Sequence, residues 1–371
     1  MLETIKEGNA LIRIKKADKV SREMEVFYNP VMKNNRDISV LLLNCIENKN
    51  MQIGLPLEAS GVRGIRLLKE LEKGKIKSIS FNDYDAKAVQ SIKNNLMLNK
   101  INNFAIIKKT YNNANNKKNN KIDKKIKIYN EDASLFLLKS SGFDYIDVDP
   151  FGTSNPFLDA AVKRISRNGI LAVTNTDTAA LTGTYPRTCI RKYWAVPKRD
   201  YMMHETGLRI LIRKIQLVGM QYEKALIPIF SYFKEHYFRI FFRCLKGKKI
   251  CDGIAEKYGM LNDAGPLWLG DLWDRTLTNK MQKFSINNYF SNDKELLKFL
   301  KIINDESKLS ALGFYDIHNA AEKMKLRIIP RKEEIIKKII ELGYKAAPTH
   351  FSGTGVRTNM PYNLFSKILK E

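Results

Sequence analysis

The sequence predicts an α/β fold, a mostly parallel sheet with helices on both faces, followed by a smaller α+β domain. Three observations predict it. Strand-like and helix-like segments alternate through about the first 220 residues, the order that builds a parallel sheet through crossover helices. Several of the strand-like segments end in an acidic residue at a turn, where open α/β sheets receive their ligands. Beyond about residue 246 the alternation gives way to GPLWLGDLWD, Lys-rich amphipathic segments and the loop THFSGTGVRTN. The domain boundary is expected at this change, giving a first domain over 1–245 and a second over 246–371.

In chain order, residues 9–15 alternate apolar and polar and predict a strand. DISVLLLNCI at 37–46 predicts a buried helix. MQIGLPLEA at 51–59 reads as a strand, and the following SGVRGIRLLKEL as a Gly-rich turn and a helix. KSISFND at 77–83 is a second strand closing on an acid. In 85–99, Ala86, Val89, Ile92 and Leu96 fall on one helical face. The Asn/Lys run at 108–125 has too few apolar residues to bury and reads as an expanded surface insertion. Strand signals resume at KIKIYNEDA, FDYIDVDP and GILAVTNTD. A helix is expected over 205–218 and a β-hairpin over 226–245.

Composition narrows the partner. Lys and Arg number 64 against 39 Asp and Glu, a formal net charge of +25. Such an excess favours a polyanion, because each phosphate contact releases condensed counterions. Charge alone does not separate RNA, DNA and an anionic membrane. The four cysteines Cys45, Cys189, Cys244 and Cys251 form no CxxC pair, which fits a reducing compartment and no disulfide framework. No metal site is expected from them. No stretch approaches the roughly 18 uninterrupted apolar residues of a membrane span, and the N-terminus lacks the form of a signal peptide. A soluble, cytoplasmic protein is expected.

Three strand ends carry ligand chemistry. Glu58-Ala-Ser-Gly61-Val-Arg-Gly64 would let the backbone pass close to a ligand at a helix start, although many such turns hold glycines for steric reasons alone. Asp83, ending the second strand, suits the paired hydroxyls of a ribose. It equally suits an N-cap, a role that Asp85 could share. Asp132 followed by Ala133 suits an adenine edge with its exocyclic amine, or a cap for SLFLL. Together they favour a nucleoside cofactor, S-adenosylmethionine or NAD. The loop is not G-x-G-x-x-G, which weighs against NAD.

The fourth strand ends in Asp147-Val-Asp149-Pro150-Phe151-Gly152. A strand ending in Asp-Pro-aromatic resembles the (Asp/Asn)-Pro-Pro-(Tyr/Phe) motif of amino-group methyltransferases. An exocyclic amine on a base has its lone pair delocalised into the ring. A carboxylate accepting one N–H, with the Pro150 carbonyl accepting the other, would localise that pair and offset developing positive charge. Asp149 is placed for this role and Phe151 for stacking on the base. A base in folded RNA must leave its stack to reach such a pocket. Phe27-Tyr28-Asn29-Pro30 offers a second aromatic, although for Phe27 taken by itself core packing is the favoured reading.

Taken together, VFYNPVMKNNRD, ASGVRGIR, FND, EDA, DVDPFGT, GILAVTNTDTAALTGTYPRTCIRKY, HETGLRILI, PIFSYFKEHYFRIFFR, GPLWLGDLWD and THFSGTGVRT resemble the archaeal and eukaryotic tRNA (guanine(26)-N2)-dimethyltransferases. The segments span nearly the whole chain in order. The resemblance implies a Rossmann-like class I methyltransferase domain that uses S-adenosyl-L-methionine, and a C-terminal domain that helps to dock tRNA. It implies that Arg36 and Arg66 contact the methionyl part of the cofactor, Asp83 the ribose, and Asp132 with Ala133 the adenine. It further implies Asp149 as the catalytic acid, with Phe27 and Phe151 sandwiching the flipped guanine. Arg187, His204, Glu205 and residues 349–358 receive no role from it. Some relatives carry a four-cysteine zinc cluster before GPLWLG. Here only Cys244 and Cys251 lie near, so no metal is expected.

The resemblance implies neither a membrane nor an obligate protein partner. Competing readings are guanine-N2 methylation at another tRNA or rRNA position, a non-catalytic tRNA-binding module, and a DNA amino-methyltransferase. The last would need a DNA-reading element, and none is visible.

Overall fold

The runs that read as strands are buried on both faces. MQIGL, FDYIDV and most of ISRNGILAVTN expose almost nothing, the signature of strands inside a parallel sheet. In the computed structural model, which describes residues 2–15, 26–107 and 124–370, they form its centre. The Asn/Lys run at 108–125 lies outside the described residues except for its last two positions.

The chain divides by internal contacts into two units. The first holds residues 1–174, 221–225 and 242–247; the second holds 175–220, 226–241 and 248–371. This division differs from the expected one at 245/246, because it assigns 175–220 and most of the hairpin to the second unit.

The first unit opens with a hairpin, β1 (Leu2–Glu7) and β2 (Ala10–Lys15), paired from Leu2↔Lys15 to Glu7↔Ala10. The alternation had shown only β2. Next come α1 (Lys33–Cys45), β3 (Met51–Leu55), α2 (Val62–Glu70), β4 (Ile76–Asn82), α3 (Ala86–Leu98), β5 (Phe104–Ile107) and β6 (Ile126–Tyr129). They are followed by α4 (Ala133–Lys139), β7 (Phe143–Val148), α5 (Asn155–Arg164) and β8 (Ile165–Asn175). The buried residues of α3 are Ala88, Ile92, Asn95 and Leu96. Ala86 sits exposed at the helix start, not on the expected apolar face.

The large sheet runs β5-β6-β4-β3-β7-β8, and its order continues through β10 (Tyr237–Lys246) to β9 (Lys224–Lys234). The first six strands are parallel. From β3 the chain builds outward through β4 on one side and then returns to place β7 on the other. Ile53 pairs with Ile79 of β4 and with Tyr145 of β7. That reversal is the switch point where ligand crevices open beyond the strand ends. The loops after Leu55 and Val148 flank it.

The second unit contains α6 (Thr178–Leu181), α7 (Pro186–Tyr193), α8 (Met203–Met220), α9 (Lys248–Ala255), the hairpin β11 (Tyr258–Leu261) and β12 (Ala264–Trp268), α10 (Arg275–Ile286) and α11 (Lys294–Ser307). A three-stranded sheet joins β13 (Tyr315–Asp316), β15 (Gly355–Thr358) and β14 (Ala346–Pro348), with α12 (Ile317–Lys323), α13 (Lys332–Glu341) and α14 (Tyr362–Ile368) alongside. Ile317, Ile335, Ile339, Val356, Met360 and Phe365 form one of its apolar clusters.

A buried ion cluster lies in this unit. Glu205 binds Arg209 Nε at 2.9 Å and an Arg357 terminal nitrogen at 2.6 Å. Glu306 accepts from Arg357 Nε at 3.1 Å and from Thr349 Oγ1 at 2.5 Å, and lies 2.5 Å from His350 Nδ1. Burial alone would raise the Glu205 carboxyl, but the Arg357 and Arg209 guanidiniums outweigh it and hold it at about 2. Glu205 and residues 349–358, left without a role by the sequence, are here structural. His204 stacks on Phe233, ring centroids 3.9 Å apart. No helix among the described residues is long and apolar enough to cross a membrane.

Candidate active site

The site is built on the loops after β3, β4, β6 and β7. Glu58 follows β3. Its backbone N–H donates to Asn82 O at 3.1 Å, and its carboxylate accepts the Gly64 N–H at 3.2 Å. Burial, against the pull of Arg63 and Gly64, pushes the Glu58 carboxyl up to about 8.

The turn between Glu58 and α2 passes through Ala59 at φ +47° and Gly61 at φ +79°. Gly61 ends the turn as the N-cap of α2. Glycine is the residue that takes this left-handed geometry without strain. Gly64 has a different requirement. A Cβ there would lie 2.2 Å from the Phe81 ring, so its bareness lets α2 lie against β4.

Asp83 follows β4 and is buried. One carboxylate oxygen accepts the Ala59 N–H at 2.9 Å and the other the Asp85 N–H at 3.0 Å. Asp85 is the N-cap of α3, through the Lys87 N–H. Asp83 therefore pins the neighbouring turn and leaves its remaining lone pairs available. Burial raises its carboxyl above the ordinary aspartate range.

Asp132 follows β6 and caps α4, accepting from Ser134 N and Leu135 N at 2.9 and 3.0 Å. Ala133 is buried behind it. The capping and ligand readings of Asp132 are compatible, since the side chain remains exposed.

Asn82 is the residue that sequence reasoning passed over. It is fully buried. Its amide donates to Pro56 O at 2.9 Å and to Glu131 O at 3.0 Å, and accepts from Glu131 N at 3.1 Å. One side chain thereby joins the loops after β3 and β6 to the end of β4. The signal for it was its place between an apolar strand and the acid in FND.

Asp149 follows β7 and is one-fifth exposed. Arg63, in the first turn of α2, donates through NH2 to Asp149 Oδ2. Its NH1 lies 3.1 Å from Asp147 Oδ2 and donates to Ser39 Oγ at 3.0 Å. Tyr145 donates its hydroxyl to the same Asp147 oxygen at 2.5 Å. Arg63 thus bridges two carboxylates while lying near Glu58. A guanidinium in this position fixes the orientation of both carboxylates through its planar fork of donors. Arg63 was visible in the loop motif, but nothing in the sequence pairs it with residues 84 and 86 positions away (147 − 63 and 149 − 63).

Pro150 is buried and Phe151 is 43% exposed. The rings of Phe27 and Phe151 meet edge to face, centroids 4.2 Å apart at 74°. The structure brings the two aromatics together, as the resemblance implied, but closed upon each other and without a slot between them.

The two arginines expected at the cofactor's methionyl end are both held by carboxylates. Arg36 donates to Glu7 through Nε at 2.6 Å and NH2 at 2.5 Å, and to Asn29 O at 3.1 Å. Arg66 is wholly buried among Glu7 at 3.0 Å, Asp37 at 2.6 Å and Glu70 at 2.8 Å. The reason is physical. A buried guanidinium needs carboxylates close by, and the N-terminal hairpin delivers Glu7 to both. Burial opposes the ionised form of Glu7, yet Arg36 and Arg66 hold it at about 2.

The donor set at the strand ends suits a nucleoside cofactor with an adenine and a free ribose. Asp83 offers acceptors for hydroxyls, Asp132 an acceptor for an amine, and the Glu58–Gly61 turn a bare backbone. Among the described residues, no three His, Cys, Asp or Glu side chains gather to hold a metal ion.

The family model described as N2,N2-dimethylguanosine tRNA methyltransferase matches residues 8–264 and 258–370. The chain is 35% identical to a tRNA (guanine(26)-N(2)/guanine(27)-N(2))-dimethyltransferase of Aquifex aeolicus, with 100% of this chain and 96% of that protein covered. It is 36% identical to the tRNA (guanine(26)-N(2))-dimethyltransferase of Pyrococcus horikoshii, covering 99% of this chain and 97% of that protein. The solved complex of the Pyrococcus horikoshii Trm1 with S-adenosyl-L-methionine matches with a TM-score of 0.86 at 35% identity, covering 100% of both chains.

Proposed function

The chain belongs to the N2,N2-dimethylguanosine tRNA methyltransferase family, and from that premise we propose that it methylates the exocyclic N2 of guanine 26 in tRNA, first once and then twice. The observation that carries this reading is the placement of Asp149. It stands at the switch point, one carboxylate oxygen taken by Arg63 and the group still partly exposed.

S-adenosylmethionine, when bound, supplies an electrophilic methyl group on a sulfonium. Asp83 would hold the ribose hydroxyls, Asp132 and Ala133 the adenine edge, and the Glu58–Gly61 turn would allow the close approach of backbone. Asp149 accepts one N–H of the guanine amine through the oxygen that Arg63 leaves open, and the Pro150 carbonyl accepts the other. The nitrogen lone pair is then localised toward the donor. The methyl would pass to nitrogen as its bond to sulfur breaks, the electron pair staying on sulfur to give a neutral thioether, and the fixed carboxylate would offset the positive charge growing on nitrogen. The proton lost from nitrogen would pass to solvent, directly or by way of Asp149, and leave the amine neutral for a second round. Phe151 and Phe27 hold the base by stacking. The cytoplasm is the expected place of action, in keeping with four cysteines that form no disulfide.

Purified protein, labelled S-adenosylmethionine and unmodified tRNA transcript test the reading, with nucleoside mass spectrometry as the readout. N2-methyl- and N2,N2-dimethylguanosine are expected, and lost when guanine 26 becomes adenine. The Aquifex aeolicus relative is named for positions 26 and 27 both, so a guanine-27 substitution belongs in the same series. Label that survives replacement of guanine 26 and disappears with guanine 27 would move the site by one nucleotide. No label in tRNA would remove the proposal.

A further inference from the structure

The proposed chemistry makes no use of TYPRTCIRKYWAVPKR at 184–199. This stretch carries Arg187, Arg191, Lys192, Lys198 and Arg199 and not one acid. Lys192 pairs with Asp177 at 2.8 Å and Lys198 with Asp263 at 3.3 Å. Arg187 and Arg199 are exposed and pair with no carboxylate among the described residues. Arg187, Ile190, Arg191 and Trp194 follow one another at helical spacing on α7, opposite the buried Cys189 and Tyr193.

Large apolar side chains stand in solvent on the same stretch. Tyr185 is 60% exposed and Trp194 48%. Trp194 also closes α7 in the left-handed conformation, at φ +59° and ψ +39°, a place that glycine usually fills. Strain of this kind persists only where surroundings over-determine it, and it gathers at functional sites. Here the surroundings are visible. The Lys214 ammonium lies 2.9 Å from the centroid of the Trp194 ring. Arg213 donates to Trp194 O at 3.3 Å, and Val196 exchanges backbone hydrogen bonds with Gly265 at 2.7 and 2.8 Å. The indole is a rigid, half-exposed plate with a cation against it and guanidiniums along its helix.

A plate flanked by exposed arginines that pair with no carboxylate among the described residues is complementary to a polyanion that carries planar groups. We propose that this face of 184–199 is an RNA-contact surface, where Trp194 stacks on an unpaired base of the tRNA and Arg187, Arg191 and Arg199 take flanking phosphates. It rests on the tRNA reading given above.

The test is fluorescence anisotropy with labelled tRNA transcript and the full chain across a salt series. Trp194→Gly keeps the left-handed backbone and removes the ring. It is expected to weaken binding about tenfold, and Trp194→Phe to recover most of the loss. Arg187→Ala combined with Arg191→Ala is expected to lower the slope of log K against log salt by about 1 per lost phosphate contact. S-adenosylmethionine affinity, read by calorimetry, is expected to be unchanged in every variant. Wild-type affinity and slope in both the glycine and the double-arginine variants would overturn the assignment while leaving the tRNA reading intact. Failure of the wild-type chain to bind tRNA at all would instead remove that reading, and this surface with it.

Discussion

Arg63, in the first turn of α2, is hydrogen-bonded to Asp149 at the end of β7, and its other terminal nitrogen lies 3.1 Å from Asp147. One guanidinium therefore fixes the carboxylate assigned to the guanine amine. Arg63→Met would leave Asp147 and Asp149 without that partner and let the Asp149 carboxylate turn away from the guanine amine. Single-turnover methyl transfer is expected to fall about a hundredfold, the scale of a misplaced reacting group, and Arg63→Lys to bring part of it back. A wild-type rate in Arg63→Met would show that Asp149 does not depend on this pair.

Asp149→Ala is expected to keep S-adenosylmethionine affinity within about twofold and to lower methyl transfer by about a thousandfold, the usual scale for a lost charge-stabilising group. Single-turnover rates and calorimetry on the same preparation separate the two. Wild-type turnover would remove Asp149 from the chemistry.

Asp83→Asn is expected to weaken S-adenosylmethionine binding about tenfold, because hydrogen bonds to a charged acceptor are the stronger kind. The amide can still receive one of the two N–H groups that Asp83 now holds, so the turn should survive. Calorimetric affinity equal to wild type would place the ribose elsewhere.

Glu58 gives a pH dependence with a definite sign. Its carboxyl is raised from 4.5 to about 8 in the folded protein, so the native state binds the extra proton. Its contribution to stability is complete below about pH 4.5 and is lost as pH rises through 8. Glu58→Gln should match wild type near pH 5 and exceed it near pH 9, by an amount of order 4 kcal/mol at most. Denaturant midpoints at the two pH values measure this. Equal midpoints at pH 9 would contradict it.

Much of this site could be read from the sequence, because strand-end position and residue type are local properties. Glu58, Asp83, Asp132 and Asp149 each follow a strand that apolar runs disclose. What could not be read is pairing across the chain. Nothing in the run LETIKE marks Glu7 out, yet it sits between Arg36 and Arg66, 29 and 59 positions away. Once Glu7 is folded beneath them, both guanidiniums are drawn into the interior. Asn82 was likewise hidden, since its three hydrogen bonds go to loops that meet only in the sheet. The strand β1 escaped because its outward side chains show no apolar alternation.

The ion cluster of the second unit makes a prediction about folding. Arg357 is fully buried between Glu205 and Glu306. Arg357→Met would leave two interior carboxylates short of their main partner, at a cost of about 3–5 kcal/mol. Urea unfolding should show the loss. A change under about 1 kcal/mol would mean that the remaining partners in the cluster suffice without Arg357.

The edge-to-face contact of Phe27 and Phe151 has a kinetic corollary. Rings stacked on both faces of a base stand about 7 Å apart, twice a van der Waals spacing of roughly 3.5 Å, whereas these centroids are 4.2 Å apart. If both rings clasp the guanine as proposed, they must first part, and only the fraction of molecules with the clasp open could accept it. The apparent affinity for the flipped base would then be the intrinsic affinity scaled by that fraction. A smaller residue at position 27 would admit the base more readily and hold it less well, so association and dissociation would both quicken.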